Sequence, residues 1–408
     1  MKIFSSLFLL TLIISSLPLP AAAFMFDRRV EPPSELSYYF YPAAISLPGI
    51  GSAQGVGGSL TKLDGEDLNV TLGKVQGDFK GEMLLVTGLS LVPEYLSFSY
   101  FNSKLEDAGI WRWERGPDSR NDRRYLLKAN RIQVKGGELS LTFFDEQLEF
   151  YYAGAKVGID INAVVDPDGN EHTARLSQAI GAVAEYWGAY LDDTDNRRDP
   201  RSGYRVQAEH WRITQDEQAL GDGYQDDYNL TFFFPLVPQR HILVWHSFFS
   251  AAGISRPGTV NPEDYICDES KYPGCQKLAD QLRQGREKEV TLGNATALGG
   301  TQRLRAYPNQ RFYDSNSFFT GWEYRWYLAD HWSAFDYILT KGVFNTIQLA
   351  AFYELGQVSP TQDSSLWRNM KDSKGVGLRV ILSDLVLRID AATGAEGSQT
   401  TMWIGYGF

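Results

Sequence analysis

Residues 400–408 read TTMWIGYGF, and large apolar side chains alternate there with small or polar ones. Successive side chains of a β-strand point to opposite faces, so a period of two separates the two sets. The larger set would share one face of the strand: Met402, Ile404, Tyr406 and Phe408. The pattern predicts a strand with one apolar, ring-bearing face at the end of the chain.

The same alternation recurs in the preceding segments, where charged residues occupy the face opposite the apolar one. These charged residues are Glu323, Arg325, Arg379, Arg388 and Asp390. In a soluble sandwich the apolar face would point inward and the other face would be polar throughout. In a transmembrane barrel the apolar face meets lipid, the charged face lines the lumen, and closure removes every unpaired edge. We therefore predict an all-β fold, a transmembrane antiparallel β-barrel.

The pattern gives about 17 candidate strands, and since bacterial single-chain barrels contain an even number, we predict about 16. The candidates include 124–135, 137–145 and 286–294, whereas 105–123 is expected to be a loop. Short turns such as 383–384 would lie in the periplasm, and long loops such as 252–287 outside. On this parity, 329–344 is an unusually long periplasmic connection.

The first residues have the order of a secretory signal: Lys2, a short apolar run and then Ala21-Ala22-Ala23. We expect a signal peptide over 1–23, a short periplasmic segment over 24–50 and the barrel over 51–408. The apolar run is too short to span a bilayer, and no later segment is long and apolar enough to do so. The expected location is the cell outer membrane.

Composition argues against several kinds of ligand. The net charge of −11 argues against a nucleic-acid partner. The five histidines show no metal-ligand spacing, so we predict no metal and no cofactor. The two cysteines, Cys267 and Cys275, lie in one polar stretch without a nearby histidine. In an exported chain, a loop disulfide between them is expected rather than a metal site.

Three segments in order resemble the BamA/TamA family of outer-membrane assembly and translocation barrels, also called bacterial surface antigens. Residues 192–204 (DDTDNRRDPRSGY) resemble the family's D-T-R-D-N…P-x-x-G-Y segment. Residues 298–307 (LGGTQRLRAY), followed by Glu323-Tyr324-Arg325, resemble the lid-loop motif V-R-G-F/Y and its E-Y-R strand. Residues 352–356 (FYELG) resemble the F-x-D-x-G strand. The resemblance covers roughly residues 190 to 408.

The resemblance implies a lid loop that folds into the lumen, where Arg305 would pair with Glu354. The lid motif is Leu304, Arg305, Ala306 and Tyr307, and the inward-facing partners are Phe352, Glu354 and Gly356. A guanidinium fork suits a carboxylate. The alternative is that Arg305 is a solvated loop charge. Here alanine replaces the motif glycine and glutamate replaces the motif aspartate, which leaves the geometry of the pair open.

The resemblance also implies a function without enzymatic activity: assisting insertion or translocation of proteins or lipids at the outer membrane. Client proteins or a periplasmic partner would then bind it, besides outer-membrane lipid. Tyr406 and Phe408 resemble the C-terminal signal that the barrel-assembly machinery reads; alternatively, they end a lipid-facing strand. Family members usually carry POTRA domains, for which the segment before the first expected strand is too short.

Two other functions stay open. The first is a passive pore or structural barrel, for which a plugged lumen would be counterproductive. The second is an outer-membrane enzyme that modifies lipid. Some such barrels carry a His-x-Ser pair facing the outer leaflet, and His331-Trp332-Ser333 has that spacing. The predicted topology places these residues on the periplasmic side, and no G-x-S-x-G motif occurs in the sequence.

Overall fold

The structure is a computed structural model of the 408-residue chain. It describes residues 36–47, 51–63, 68–172, 179–217, 220–266, 269–270, 274–337, 340–382 and 385–406. The expected signal peptide and the start of the expected periplasmic segment lie outside these ranges.

The chain forms a closed antiparallel barrel of 16 strands. Its strands are β1 (Ser37–Leu47), β2 (Gly51–Thr61), β3 (Asn69–Gly77), β4 (Lys80–Val92), β5 (Leu96–Trp113), β6 (Arg124–Phe143), β7 (Leu148–Val165), β8 (Glu171–His172), β9 (Ala179–Thr194), β10 (Gly203–Gln215), β11 (Asp222–Val237), β12 (His241–Arg256), β13 (Asn316–Tyr337), β14 (Thr340–Ser359), β15 (Lys371–Leu382), β16 (Leu385–Gly394) and β17 (Gly397–Ile404). The two-residue β8 only extends the edge of β7, and β7 pairs directly with β9, so sixteen strands form the wall.

The barrel closes where the first strand meets the last. Ser46 of β1 is opposite Met402 of β17. The other end of β1 pairs with the start of β14, where Tyr38 is opposite Lys341 and Tyr39 opposite Thr340. β1 is therefore paired with β17 near its C-terminal end and with β14 near its N-terminal end.

The two faces of the wall have the predicted polarity. The five charged side chains of the alternating segments are buried inside the barrel: Glu323, Arg325, Arg379, Arg388 and Asp390. The intervening side chains of the same strands, such as Trp322, Trp326 and Val376, are exposed on the outside. This arrangement confirms the predicted fold class, with an apolar exterior and a charged lumen.

Two strand predictions in the middle of the chain were wrong. Residues 286–294 were expected to form a strand, but they belong largely to helix α1 (Cys275–Leu292), which carries the i,i+4 ion pair Arg283–Glu287. Segments 124–135 and 137–145 are one strand, β6, because Gly136 lies against the backbone of β7 instead of making a turn. A Cβ there would stand 2.3 Å from the carbonyl oxygen of Gly154.

The barrel boundaries also differ from the prediction. β1 lies within the stretch 24–50 that was assigned to a periplasmic segment, so the barrel includes Ser37–Leu47 and does not begin at residue 51. Its small and aromatic side chains alternate only weakly, which concealed it. β5 runs to Trp113, into the expected loop 105–123. The long connection 329–344 is the tip of the β13–β14 hairpin, with several register shifts. No helix in the described ranges is long and apolar enough to cross a membrane.

Candidate functional site

A lid loop, defined here as residues 293–315 between α1 and β13, is folded into the lumen. Its buried apolar side chains are Leu298, Leu304, Tyr307 and Phe312. They form one core with inward-facing residues of β12, β13, β14 and β16, namely Phe248, Phe319, Phe352, Val358 and Ala392. The lid therefore packs against the wall built by the C-terminal strands.

Glycines permit the close approach between lid and wall. Gly299 has φ +104°, and a Cβ on it would lie 2.2 Å from the carbonyl oxygen of Pro308. On the wall, a Cβ on Gly356 would lie 2.8 Å from Cδ1 of Leu298 and 3.2 Å from Cδ1 of Leu304. Both positions need a residue without a side chain: Gly299 for the turn of the lid, and Gly356 for the close contact between the lid and β14.

Arg305 and Glu354, which sequence reasoning paired, are brought together at the bottom of the lid. Arg305 Nε donates to Glu354 Oε1 over 2.7 Å, and the backbone N–H of Arg305 donates to Oε2 over 2.8 Å. Both side chains are fully buried. The guanidinium carbon lies 3.4 Å from the ring centroid of Phe352, so the ring covers one face of the cation.

Two further carboxylates contact the same guanidinium. Arg305 Nη1 donates to Asp390 Oδ2 over 3.0 Å and to Glu323 Oε2 over 3.2 Å, and Nη2 also donates to Glu323. Burial lowers the pKa of Arg305, but Glu354, Glu323 and Asp390 together raise it above its usual value. The lid is therefore held by a cation that stays charged within a ring of three acids.

The surrounding wall continues this network. Glu323 also accepts from Arg325 Nε over 2.7 Å and from Arg379 Nη2 over 2.6 Å. Arg388 Nε lies 3.3 Å from Asp390 Oδ2. Strands β13 to β16 thus present fixed charges to the lid at one level of the lumen. Sequence reasoning placed these residues in the lumen but did not connect Glu323 or Asp390 to Arg305.

The two departures from the family motif fit the geometry. Leu304 has a left-handed backbone conformation, with φ +52°, whereas Ala306, at the position of the motif glycine, does not. Alanine is therefore tolerated at position 306 without backbone strain. The backbone N–H of Ala306 donates to Ser373 Oγ over 3.0 Å, which fixes the lid to β15 as well. The extra methylene of Glu354 lets its two oxygens reach both the backbone and the side chain of Arg305.

A second arginine of the lid, Arg311, joins the loops at the outer end. Its Nε and Nη2 donate to the two carboxylate oxygens of Glu396, over 2.7 and 2.6 Å, in the β16–β17 turn. Its Nη1 donates to Ser119 Oγ, between β5 and β6, over 2.7 Å. No local pattern predicts this contact, because Arg311 and Ser119 are 192 residues apart.

The segment 192–204 forms the hydrogen-bonded connection between β9 and β10, at the end of the barrel that the sequence pattern assigns to the periplasm. Asp195 Oδ1 accepts from the backbone of Arg201 over 2.7 Å, within this connection. Asp199 Oδ1 accepts from the hydroxyls of Tyr327 and Tyr406, over 2.6 and 2.8 Å. The resemblance identified this segment, but its contact with the C-terminal tyrosine was not foreseen.

The placement of Tyr406 corrects a sequence expectation. Alternation put it on the lipid side with Met402, but β17 ends at Ile404 and Gly405 has φ +104°. This reversal ends the alternation, and the ring of Tyr406 packs against a lumen cluster that includes Phe233 and Tyr327. Phe408, the other residue of the C-terminal signal, lies outside the described residues.

Cys275, at the start of α1, is disulfide-bonded. Its expected partner, Cys267, lies outside the described residues. Within the described ranges, no group of three or more His, Cys, Asp or Glu side chains could hold a metal ion.

His331 and Ser333, the pair of the lipid-enzyme alternative, lie on β13 close to its turn into β14. That turn is at the end of the barrel assigned to the periplasm.

The lid does not fill the lumen completely. A polar cavity of about 460 Å³ lies beside it. Side chains of the lid and of strands β5 and β11 line this cavity, among them Arg112, Gln225, Gln302, Arg303, Gln310 and Tyr313. The open space is therefore beside the lid and on the side away from Arg305.

Comparison with known proteins supports the fold alone. No known family and no curated protein matches the chain. Among solved structures, CdiB from Escherichia coli is similar with a TM-score of 0.52 and 12% identity over 92% of this chain. This chain spans 63% of that protein. BamA from Haemophilus ducreyi lacking POTRA domains 1–3 gives a TM-score of 0.49, with 10% identity over 92% of this chain and 71% of that chain. The chain is thus a barrel of the kind found in bacterial outer membranes.

Proposed function

We propose that this barrel resides in the outer membrane and assists the insertion or translocation of proteins or lipids there. The observation that carries the proposal is the anchoring of Arg305 by Glu354, Glu323 and Asp390. A lid held at its base by one buried cation occupies the lumen that a passive pore would keep open. The similarity to BamA/TamA motifs supports the same function.

The charged anchor suits a lid that is released and re-formed. A buried ion-pair network is often no more stabilising than apolar packing of similar volume, so stability alone does not explain it. Charged groups are solvated once water enters, so separating the Arg305 contacts exposes less apolar surface than separating the apolar core of the lid. The network therefore favours two discrete states, one with the lid anchored and one with the lid hydrated.

The junction of the first and last strands offers a second element that can respond. Ser46 of β1 is opposite Met402 of β17, whereas the start of β1 pairs with β14. Because β1 is shared between two partner strands, a client could enter the membrane at this junction while the lid moves in the lumen.

The test compares outer-membrane proteins and lipids in cells that lack the chain, complemented with the wild type, Arg305→Ala or Arg120→Ala. Arg120 is the matched control because its ion pair with Asp122 is exposed. Each variant is first checked for barrel folding by its heat-dependent mobility on a denaturing gel. We expect a defined set of surface proteins or lipids to fall in the deletion and to return with the wild type and Arg120→Ala.

Folded Arg305→Ala should fail to restore that set. Full complementation by Arg305→Ala, or no change in the deletion, would overturn the proposal and favour a passive or structural barrel. A lipid whose covalent structure changes in the deletion, while the protein set stays constant, would instead favour the lipid-enzyme alternative.

A further inference from the structure

The outer face of β6 and β7 carries two lysines that stand directly opposite each other. Lys135 of β6 is in register with Lys156 of β7, and both side chains are exposed. Directly opposed residues of neighbouring strands have Cβ atoms about 5 Å apart, and like charges at that spacing repel. The pair therefore needs a counter-charge.

The wall itself supplies little counter-charge at this level. In register with the lysines stand Asn102 of β5 on one side and Val183 of β9 on the other. Glu185, one step along β9 from that row, accepts a hydrogen bond from the hydroxyl of Tyr152 over 2.7 Å. Among the described residues, no acidic side chain has a recorded ion pair with either lysine.

Other outward-facing lysines of the N-terminal half differ in this respect. Lys74 lies 2.6 Å from Glu82, and Lys80 lies 2.9 Å from Asp107. Lys74 and Lys80 thus each have an acidic partner on the barrel wall, whereas, within the described part of the wall, Lys135 and Lys156 do not.

Measured from the periplasmic ends of β6 and β7, the lysine pair lies near the outer edge of the apolar band that a membrane-spanning barrel presents. Lys135 is eight residues from the end of β6 at Phe143, and Lys156 is eight residues from the start of β7 at Leu148. Eight residues span about 27 Å along a strand and, at a tilt of about 40°, about 21 Å along the barrel axis. An apolar band is about 25 Å tall, and lysine stems reach several ångströms toward water.

The side chains between the lysines and the periplasmic end are suited to acyl chains. Leu139, Tyr152 and Phe150 are exposed on the same outer face below the lysines. Phe144 is exposed at the periplasmic turn, at the position of the lower aromatic girdle. Gly154 lies just below Lys156 and leaves open space on the outer face, because a Cβ there would meet no atom within 4 Å. Gly137, directly opposite on β6, is covered by the ring of Phe98.

We infer that Lys135 and Lys156 bind the phosphate-bearing headgroup of a lipid in the outer leaflet. The ammonium groups neutralise the phosphate, and the apolar surface below them holds the acyl chains. This inference rests on the outer-membrane location in the proposed function, but not on a moving lid.

The experiment uses the full barrel reconstituted in nanodiscs that contain phosphatidylethanolamine and lipid A, either bisphosphorylated or with both phosphates removed. Native mass spectrometry counts the lipid A molecules that stay bound. The test variant is Lys135→Gln/Lys156→Gln, and the matched control is Lys74→Gln/Lys80→Gln, which removes the same charge from the same side of the barrel. Arg305→Ala is included because it alters the lid alone.

Wild type, control and Arg305→Ala should prefer the bisphosphorylated form by about tenfold or more, since each lysine near a charged membrane surface contributes roughly a tenfold factor or slightly less. The test variant should bind the two forms equally. An unchanged preference in the test variant, an equal loss in the control, or no preference in the wild type would overturn the inference. If Arg305→Ala fails to complement in cells but keeps the wild-type preference for bisphosphorylated lipid A, the lipid site and the lid act independently.

Discussion

Glu354 holds both the backbone and the side chain of Arg305, with its two carboxylate oxygens 2.8 Å from the amide nitrogen and 2.7 Å from Nε. One acid of the wall therefore fixes the position of the lid and the direction in which its cation points. The other two acids, Glu323 and Asp390, then complete the shell around a guanidinium that is already oriented.

Arg305→Ala should release the lid and raise the conductance of the barrel. Removing one partner of a buried ion pair costs about 3–5 kcal/mol, because the remaining carboxylates stay buried without their cation. In planar bilayers, we expect the wild type to give small, flickering currents and Arg305→Ala to give larger, steadier ones.

Arg305→Lys should be intermediate, since an ammonium keeps the charge but not the planar fork. Arg120→Ala should match the wild type. If the conductance of folded Arg305→Ala equals that of the wild type, the lid is held by its apolar core and not by the charge.

Glu354→Asp should loosen the lid although it restores the residue of the family motif. The shorter side chain cannot keep both hydrogen bonds to Arg305 without a shift of β14, and a hydrogen bond to a charged group contributes about 1.5–3 kcal/mol. The check is the rate of tryptic cleavage after Arg303 and Arg305 in the folded protein, which should rise above the wild-type rate. A rate equal to that of the wild type would mean that the extra methylene has no role.

The fold was largely predictable because alternation is a local signal. Charged residues such as Glu323 and Arg379 lie on the face opposite the apolar side chains of their strands, and a barrel with an apolar exterior and a polar lumen accommodates both faces. The same logic failed for β1, whose alternation is weak, and for α1, which was divided between an expected loop (252–287) and an expected strand (286–294).

Part of the site could be inferred only through the family motif. Nothing local in Leu304-Arg305-Ala306-Tyr307 distinguishes a buried lid from an exposed loop. The contacts of Asp390 and of Arg311 depend on which strands face each other across the lumen, which no local pattern encodes. Tyr406 was misplaced because a single glycine with positive φ interrupts the alternation on which its assignment depended.

Gly356→Ala should displace the lid by steric contact alone, without any change in charge. The new methyl group would stand 2.8 Å from Leu298 and 3.2 Å from Leu304, so the lid, the strand or both must move. Gly154→Ala is the matched control, because a Cβ there meets no atom within 4 Å. Thermal unfolding monitored by heat-dependent gel mobility should show a lower midpoint for Gly356→Ala, and bilayer currents should rise. Equal behaviour of the two variants would show that the lid accommodates the methyl group.

Locking the lid to the wall should abolish function if the lid moves. The amide nitrogen of Ala306 lies 3.0 Å from Ser373 Oγ, so cysteines at the two positions are close enough for a disulfide after a small adjustment. We expect oxidised Ala306→Cys/Ser373→Cys to keep small currents and to lose the complementation that the wild type provides. A mild reductant should restore complementation. Each single cysteine variant, treated identically, controls for reduction of the native disulfide at Cys275. If the locked protein complements fully, the lid is a permanent strut, and whatever the barrel transports must pass through the seam or the cavity beside the lid.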